Sequence, residues 1–317
     1  MPIPPLDPDI AARIGAAYAT VRPMREQGLQ AVRAELESMP SAPDVPEMAR
    51  VDERIIPGPH GPIPLRIYYP EIREQAPVLV HLHGGGLVMG SNDSFEPMAR
   101  HFAAATGAVV VGVDYRLAPE HPAPVQFDES YAATAWVSEH ADEIGVDPAR
   151  LVLLGDSAGG SLAAAVALAA RDRGGPNLFC QVLLYAGLDR DMSAPSMLAM
   201  PEAPLLRRED IFFMHELADT GAGTPTDPYR VPAYAPDLSG LPQAIVATGA
   251  CDPIRDWSER YAVRLRDAGV QTTMTRYPGM PHGFLMRSAG SVRAALAIAE
   301  TGALLKAKFL HPVSFPQ

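Results

Sequence analysis

Five short, almost unbroken apolar runs set the strongest limit on how this chain can fold: Val78-Leu79-Val80, Ala108 to Val113, Leu151 to Leu154, Gln181 to Leu184 and Ala244 to Ala247. A strand with one face in water alternates apolar and polar side chains, whereas a strand that is apolar throughout must be covered on both faces. Between these runs lie stretches of helical pattern, including 128–140, 161–171 and 258–268. Strand and helix in alternation predict an α/β fold with a mostly parallel central sheet of about eight strands flanked by helices. Two further runs, Arg54-Ile55-Ile56 and Leu65 to Tyr69, flank the turn-rich stretch Pro57 to Pro62 and read as an antiparallel hairpin. Thr272 to Tyr277 reads as the last strand. Ligands in such folds bind beyond the carboxyl ends of the strands, so chemistry is expected just after each run.

Composition narrows the class. A net charge of −11 leaves no basic stripe with which to release counterions from phosphate, so no nucleic-acid partner is expected. The longest strongly apolar run, Leu162 to Ala170, is far shorter than the ~20 residues that span a bilayer, so no membrane partner is expected either. The chain starts Met-Pro-Ile-Pro-Pro without a basic or apolar leader, and two cysteines, Cys180 and Cys251, cannot build a framework of bridges. A reducing, cytoplasmic setting follows as the expectation, with one Cys180–Cys251 disulfide as the lesser alternative.

The 33 prolines are about twice the usual ~5% share, and half of them fall in two segments, 1–50 and 190–242. In the first they punctuate helical pattern at Pro23, Pro40, Pro43 and Pro46. The second, rich in methionine and carrying the apolar stretch Ile211-Phe212-Phe213, is too long for a simple strand connection. The expected organisation is an N-terminal helical cap segment over 1–50, a catalytic core over 51–189 and 243–317, and a cap insertion over 190–242.

Three motifs carry chemistry. Gly155-Asp156-Ser157-Ala158-Gly159-Gly160 stands directly after the apolar run 151–154 and before a helical stretch. A serine on so sharp a strand-to-helix turn projects its hydroxyl above the sheet, and the flanking glycines remove Cβ atoms where strand and helix approach. His83-Gly84-Gly85-Gly86 follows the run that starts at Val78, and its glycines bring backbone N–H groups within reach of a substrate oxygen with no side chains in the way. His83 is expected to pin that loop by hydrogen bonding, with Gly84 as motif support. A base and an orienting acid should follow the serine in the order Asp or Glu, then His. Asp252, after the run 244–247, is the favoured acid, with Asp256 as its competitor, and His282 in Pro281-His282-Gly283-Phe284 is the base, ahead of His311 in the tail.

Taken together, these motifs resemble the hormone-sensitive lipase family of α/β-hydrolases, the bacterial family IV carboxylesterases with a GDSAGG elbow. The resemblance runs from about Val51 to the C-terminal helix and includes Asp114-Tyr115-Arg116-Leu117-Ala118-Pro119-Glu120-His121-Pro122 and Asp252-Pro253-Ile254-Arg255-Asp256. It implies an α/β-hydrolase fold with a helical cap and serine carboxylesterase activity on a small-molecule ester, with no cofactor and no metal. It implies Ser157 as nucleophile, His282 as general base and then acid, and Asp252 as orienting carboxylate. Gly85, Gly86 and Ala158 would donate to the oxyanion. Family members often pair through the last strand and its neighbouring helix, so a homodimer is expected. Leu87, where an aromatic residue is frequent, together with Asp156 and Tyr185 is expected near the substrate pocket, and Ala186 stands where proline is often found. A base must be neutral to accept a proton, so ester hydrolysis should fall steadily on acidification as His282 becomes protonated. The pH dependence of kcat/KM checks this, and a flat profile into strong acid would count against His282.

Overall fold

Physical burial accounts for the architecture of the computed structural model, which describes residues 4–39, 44–220, 225–286 and 291–312. Met1 to Ile3, and Pro40 and Pro43 of the expected N-terminal punctuation, lie outside the described residues. Eight strands form one sheet: β1 (Arg50–Ile56), β2 (Ile63–Tyr69), β3 (Ala76–Leu82), β4 (Val109–Val113), β5 (Val146–Asp156), β6 (Cys180–Leu184), β7 (Gln243–Cys251) and β8 (Thr272–Pro281). Their order is β1-β2-β4-β3-β5-β6-β7-β8. β1 and β2 form the expected antiparallel hairpin, β2 pairs antiparallel with β4, and every other pairing is parallel.

Alternate side chains of the apolar runs feed two separate cores. Val78, Val80, Leu151, Leu153, Leu183 and Val246 point to one face, where they pack with α5 (Val125–Glu139), α6 (Ala158–Arg173) and α9 (Arg255–Asp267). Leu79, Val152, Leu154, Val182, Leu184 and Ile245 point to the other, against α4 (Glu96–Thr106) and α10 (Val292–Leu310). Burying each such side chain contributes roughly 1.5–3 kcal/mol, which is why these positions tolerate no polar residue.

The strand order reverses at β3. The chain passes from β3 to β4 on one side, then returns to lay β5 on the other, so β3 and β5 flank the switch point where doubly wound sheets open a crevice. Their carboxyl ends are level, Leu82 opposite Gly155. The helix expected to begin near Ser161 begins instead at Ala158, because the turn is so tight that Ser157 itself is the helix cap. A Cβ on Gly155 would lie 2.2 Å from the Gly159 carbonyl oxygen, and one on Gly159 would lie 1.9 Å from that of Leu82. No alanine fits at either place.

The proline-rich segments meet above this edge. The N-terminal segment forms α1 (Pro8–Thr20), α2 (Met24–Gln27) and α3 (Leu29–Ser38), and the long connection after β6 forms α7 (Pro195–Ala199) and α8 (Arg208–Ala218). Met24 donates its backbone N–H to Asp210 at 2.7 Å, Arg207 donates to the Val21 carbonyl at 2.7 Å, and the Arg25 guanidinium lies over the Phe213 ring. Beneath α8, Met197, Leu206, Ile211, Met214 and Trp257 belong to a third apolar cluster that also takes in Val88 and Ala118.

The contact at Gly159 yields a direct test. Gly159→Ala should cost about 3 kcal/mol or more, as forced overpacking against backbone does, read as a fall in the urea midpoint. Gly175→Ala, where a Cβ meets nothing within 4 Å, is the control and should change stability by less than ~0.5 kcal/mol.

Candidate active site

Ser157 sits between β5 and α6 at φ 53° and ψ −120°, a left-handed-side conformation that a side-chain-bearing residue adopts only at a cost of about 1–3 kcal/mol. Surrounding hydrogen bonds hold it there. Its N–H donates to the Leu184 carbonyl at 2.9 Å, and its own carbonyl accepts from Gly187 at 2.9 Å and Ser161 at 3.2 Å. The first turn of α6 has N–H groups without intrahelical acceptors and concentrates partial positive charge beside the hydroxyl.

His282, just after β8, places Nε2 2.8 Å from Ser157 Oγ and Nδ1 2.9 Å from Asp252 Oδ2. Asp252, one residue past β7, is fully buried, and its Oδ1 accepts from the Ile254 N–H at 2.9 Å. A carboxylate only accepts, so the proton of the His282 ring belongs on Nδ1 and the Nε2 lone pair faces the serine hydroxyl. That chain can draw the proton from Ser157 Oγ as the oxygen attacks an electrophile. The competing acid has other partners: Asp256 Oδ2 accepts from the Ser196 N–H at 2.8 Å, and its Oδ1 pairs with Arg255, tying α7 to α9. His311 is exposed at the end of α10.

The glycine loop after β3 is held from below. Gly84 donates its N–H to Asp156 Oδ1 at 2.9 Å. The buried His83 ring stacks on Tyr115 with centroids 4.3 Å apart and on Phe95 at 5.3 Å, and its Nδ1 bonds the Gly84 carbonyl at 2.8 Å. Tyr115 donates its hydroxyl to the His83 carbonyl at 2.6 Å, and Ala118 donates to Leu87 at 2.9 Å. From α3, Arg33 spans both loops, donating to the carbonyls of Val88 at 2.6 Å and Ala118 at 2.8 Å and pairing with Glu120. That pairing holds the Glu120 carboxyl down to about 2. The N–H groups of Gly85 and Gly86 meet no protein acceptor among the described residues. With Ala158 N–H at the start of α6 they can receive a negative oxygen.

A cleft of about 550 Å³, part of it open to solvent, lies over Ser157. Gly86, Leu87 and Ala158 line it. Asp156 and Tyr185, expected near the pocket, do not line it. Asp156 is buried under the glycine loop, and Tyr185 is fully buried behind His282, with ring centroids 5.1 Å apart edge to face. Asp156 ends β5 and Tyr185 directly follows β6, so packing at the sheet edge turns both side chains away from the cleft. Sequence reading missed Trp257, His215, Arg190 and Arg230, which do line it. Arg190 stood within reach of the rule that ligands bind past strand ends, being a few residues beyond β6.

Comparison with known proteins extends this picture. A family model described as alpha/beta hydrolase fold matches residues 79–286. The chain is 42% identical over 265 residues to Carboxylesterase NlhH of Mycobacterium tuberculosis (strain ATCC 25618 / H37Rv), covering 81% of this chain and 82% of that protein. It is 39% identical over 291 residues to Esterase LipI of the same strain, covering 90% of each. Its structure is similar to that of an esterase from Pyrobaculum calidifontis, with a TM-score of 0.87, 34% identity, and coverage of 96% of this chain and 99% of that one.

Burial pulls the His83 imidazole down to about 4 from its ordinary 6.5, with the neighbouring His81 adding to the effect. The native state therefore holds the ring neutral where the unfolded chain would protonate it. This contribution is complete above pH 6.5 and is lost as pH falls toward 4. Its full size is roughly 3 kcal/mol. In His83→Phe, which retains an aromatic ring between Tyr115 and Phe95, the drop in unfolding free energy over that range should be smaller by about that amount. Urea titrations at a series of pH values decide it, and an unchanged drop would show that His83 is not the titrating group.

Proposed function

The chain belongs to the α/β-hydrolase family, in its hormone-sensitive-lipase-like branch, and on that premise we propose that it is a serine carboxylesterase acting on short- to medium-chain acyl esters through Ser157, His282 and Asp252. The observation that carries the reading is the unbroken contact from Ser157 Oγ to His282 Nε2 at 2.8 Å and from His282 Nδ1 to Asp252 at 2.9 Å. Ser157 Oγ attacks the ester carbonyl and gives its proton to His282 Nε2. Asp252 holds the ring in the needed tautomer and stabilises the imidazolium. The tetrahedral oxyanion rests on the N–H groups of Gly85, Gly86 and Ala158, which are already oriented and so need no reorganisation as charge develops. His282 then protonates the departing alkoxide. Water, deprotonated by the same nitrogen, attacks the acyl-serine; the acid leaves and the proton returns to Ser157.

In this reading, 1–50 and 190–242 act as a cap on the core formed by 51–189 and 243–317. The insertion supplies seven of the cleft residues, from Arg190 to Arg230, and its apolar members Leu206, Ile211 and Met214 suit short acyl chains. The homodimer belongs to the proposal too: β8 is an open sheet edge, and Val292 and Leu296 of the neighbouring α10 expose apolar surface. So does the reducing, cytoplasmic setting, with which buried, free Cys180 and Cys251 agree.

Ser157→Ala should lower hydrolysis of p-nitrophenyl butyrate by ~10³-fold or more while leaving circular dichroism and thermal midpoint close to those of the parent. Retention of most activity would sink the assignment. Across p-nitrophenyl esters from acetate to palmitate, kcat/KM should peak among the short and medium chains; a maximum at palmitate would point to a lipase.

A further inference from the structure

We propose that the cleft beside Ser157 selects esters that carry a carboxylate, whose charge is received by Arg190 and Arg230; this rests on the esterase reading and names its substrate class. Among the described residues, the charged side chains lining the cleft are these two arginines, and no carboxylate lines it with them. Their shared counterion, Asp219, accepts from Arg230 at 2.7 Å and from Arg190 at 3.4 Å through the same oxygen, Oδ1. Asp219 does not line this cleft but the adjoining pocket, which both arginines also line. The next acids along the chain are engaged elsewhere: Asp189 and Asp191 both pair with Arg260.

Arg190, whose contact with Asp219 is long at 3.4 Å, brings its guanidinium group to a wall that includes the apolar side chains of Leu206, Ile211, Met214 and Trp257. Both arginines are largely buried, with side chains 18% and 13% exposed. Burial of a guanidinium group with so long an ionic contact as that of Arg190 is costly, and that cost is recovered when an anion arrives. His215, also in the cleft wall, adds no countercharge: burial and the Arg190 charge hold its imidazole well below its ordinary range, so it is neutral. The rest of the molecule makes the feature sharper. On a chain of net charge −11, a cationic spot in this cleft is a place where a negative substrate group gains rather than loses. A guanidinium offers paired N–H donors that match a carboxylate, and such charge-assisted bonds are about twice as strong as neutral ones.

The test compares matched esters on the intact protein. Mono-(4-nitrophenyl) glutarate against 4-nitrophenyl valerate puts the charge on the acyl side; 4-acetoxybutyrate against its methyl ester puts it on the alcohol side. At least one carboxylated ester should reach a kcat/KM equal to or above its neutral partner, with the ratio falling as salt is added. Arg190→Gln should lower that ratio about tenfold, and Arg190→Lys should restore part of it. An unchanged ratio in Arg190→Gln, or rejection of both carboxylated esters by the parent, overturns the proposal. Should that variant not fold, inhibition of the parent decides: glutarate should inhibit valerate hydrolysis about tenfold more tightly than glutaramide, and equal inhibition overturns the idea. If neutral esters are hydrolysed and carboxylated ones refused, the esterase reading stands and this one falls. If no ester of either kind is hydrolysed, both fall.

Discussion

The close approach of Gly159 to the carbonyl of Leu82 is the constraint on which the rest of the site depends. With a Cβ there only 1.9 Å from that oxygen, α6 can start against the end of β3 only if the residue is glycine. The contact brings the first turn of α6 and the strained serine up against the glycine loop that follows β3. Asp156 then reaches across from β5 to hold Gly84, and the level ends of β3 and β5 keep the loop and the elbow in step. The strain at Ser157 is tolerable because three backbone hydrogen bonds over-determine it.

Around this contact the chain builds outward in layers. The sheet is apolar on both faces and closes two cores. His83, Tyr115 and Phe95 stack under the glycine loop, converting a segment of high backbone freedom into one with few alternatives. Arg33 then ties the N-terminal helices to the carbonyls of Val88 and Ala118, so the segment before the sheet reports on the loop above it. The long connection after β6 comes last, packing on Trp257, Val88 and Ala118 and held to α9 through Ser196 and Asp256. Its prolines shorten α7 and break the chain into pieces that can follow the curved rim of the cleft.

Much of this was legible in the residues because it depends on local rules. Unbroken apolar runs marked the buried strands to within a few residues, though β5 and β7 run further than their most apolar stretches, since pairing with β3 and β8 extends them through residues of mixed character. The serine turn and glycine loop were legible because their glycines answer steric demands at their own positions. Asp156 and Tyr185 were misjudged for the opposite reason. Asp156 precedes Ser157 in the chain and Tyr185 directly follows β6, but which way each side chain faces depends on the packing of neighbouring strands. Trp257 and His215 went unseen because they approach the cleft from α9 and α8, helices with no motif of their own.

The sequence by itself determined the doubly covered sheet, the tight turn at Ser157 and the order in which Ser157, Asp252 and His282 follow their strands, because steric freedom and burial act residue by residue. Only the tertiary structure decided that Asp252 rather than Asp256 faces His282, that Tyr115 and Arg33 brace the glycine loop, and that Arg190 and Arg230 share one carboxylate beside the cleft. Those pairings join residues distant in the chain, and their geometry follows from how separate elements pack, which no local pattern encodes.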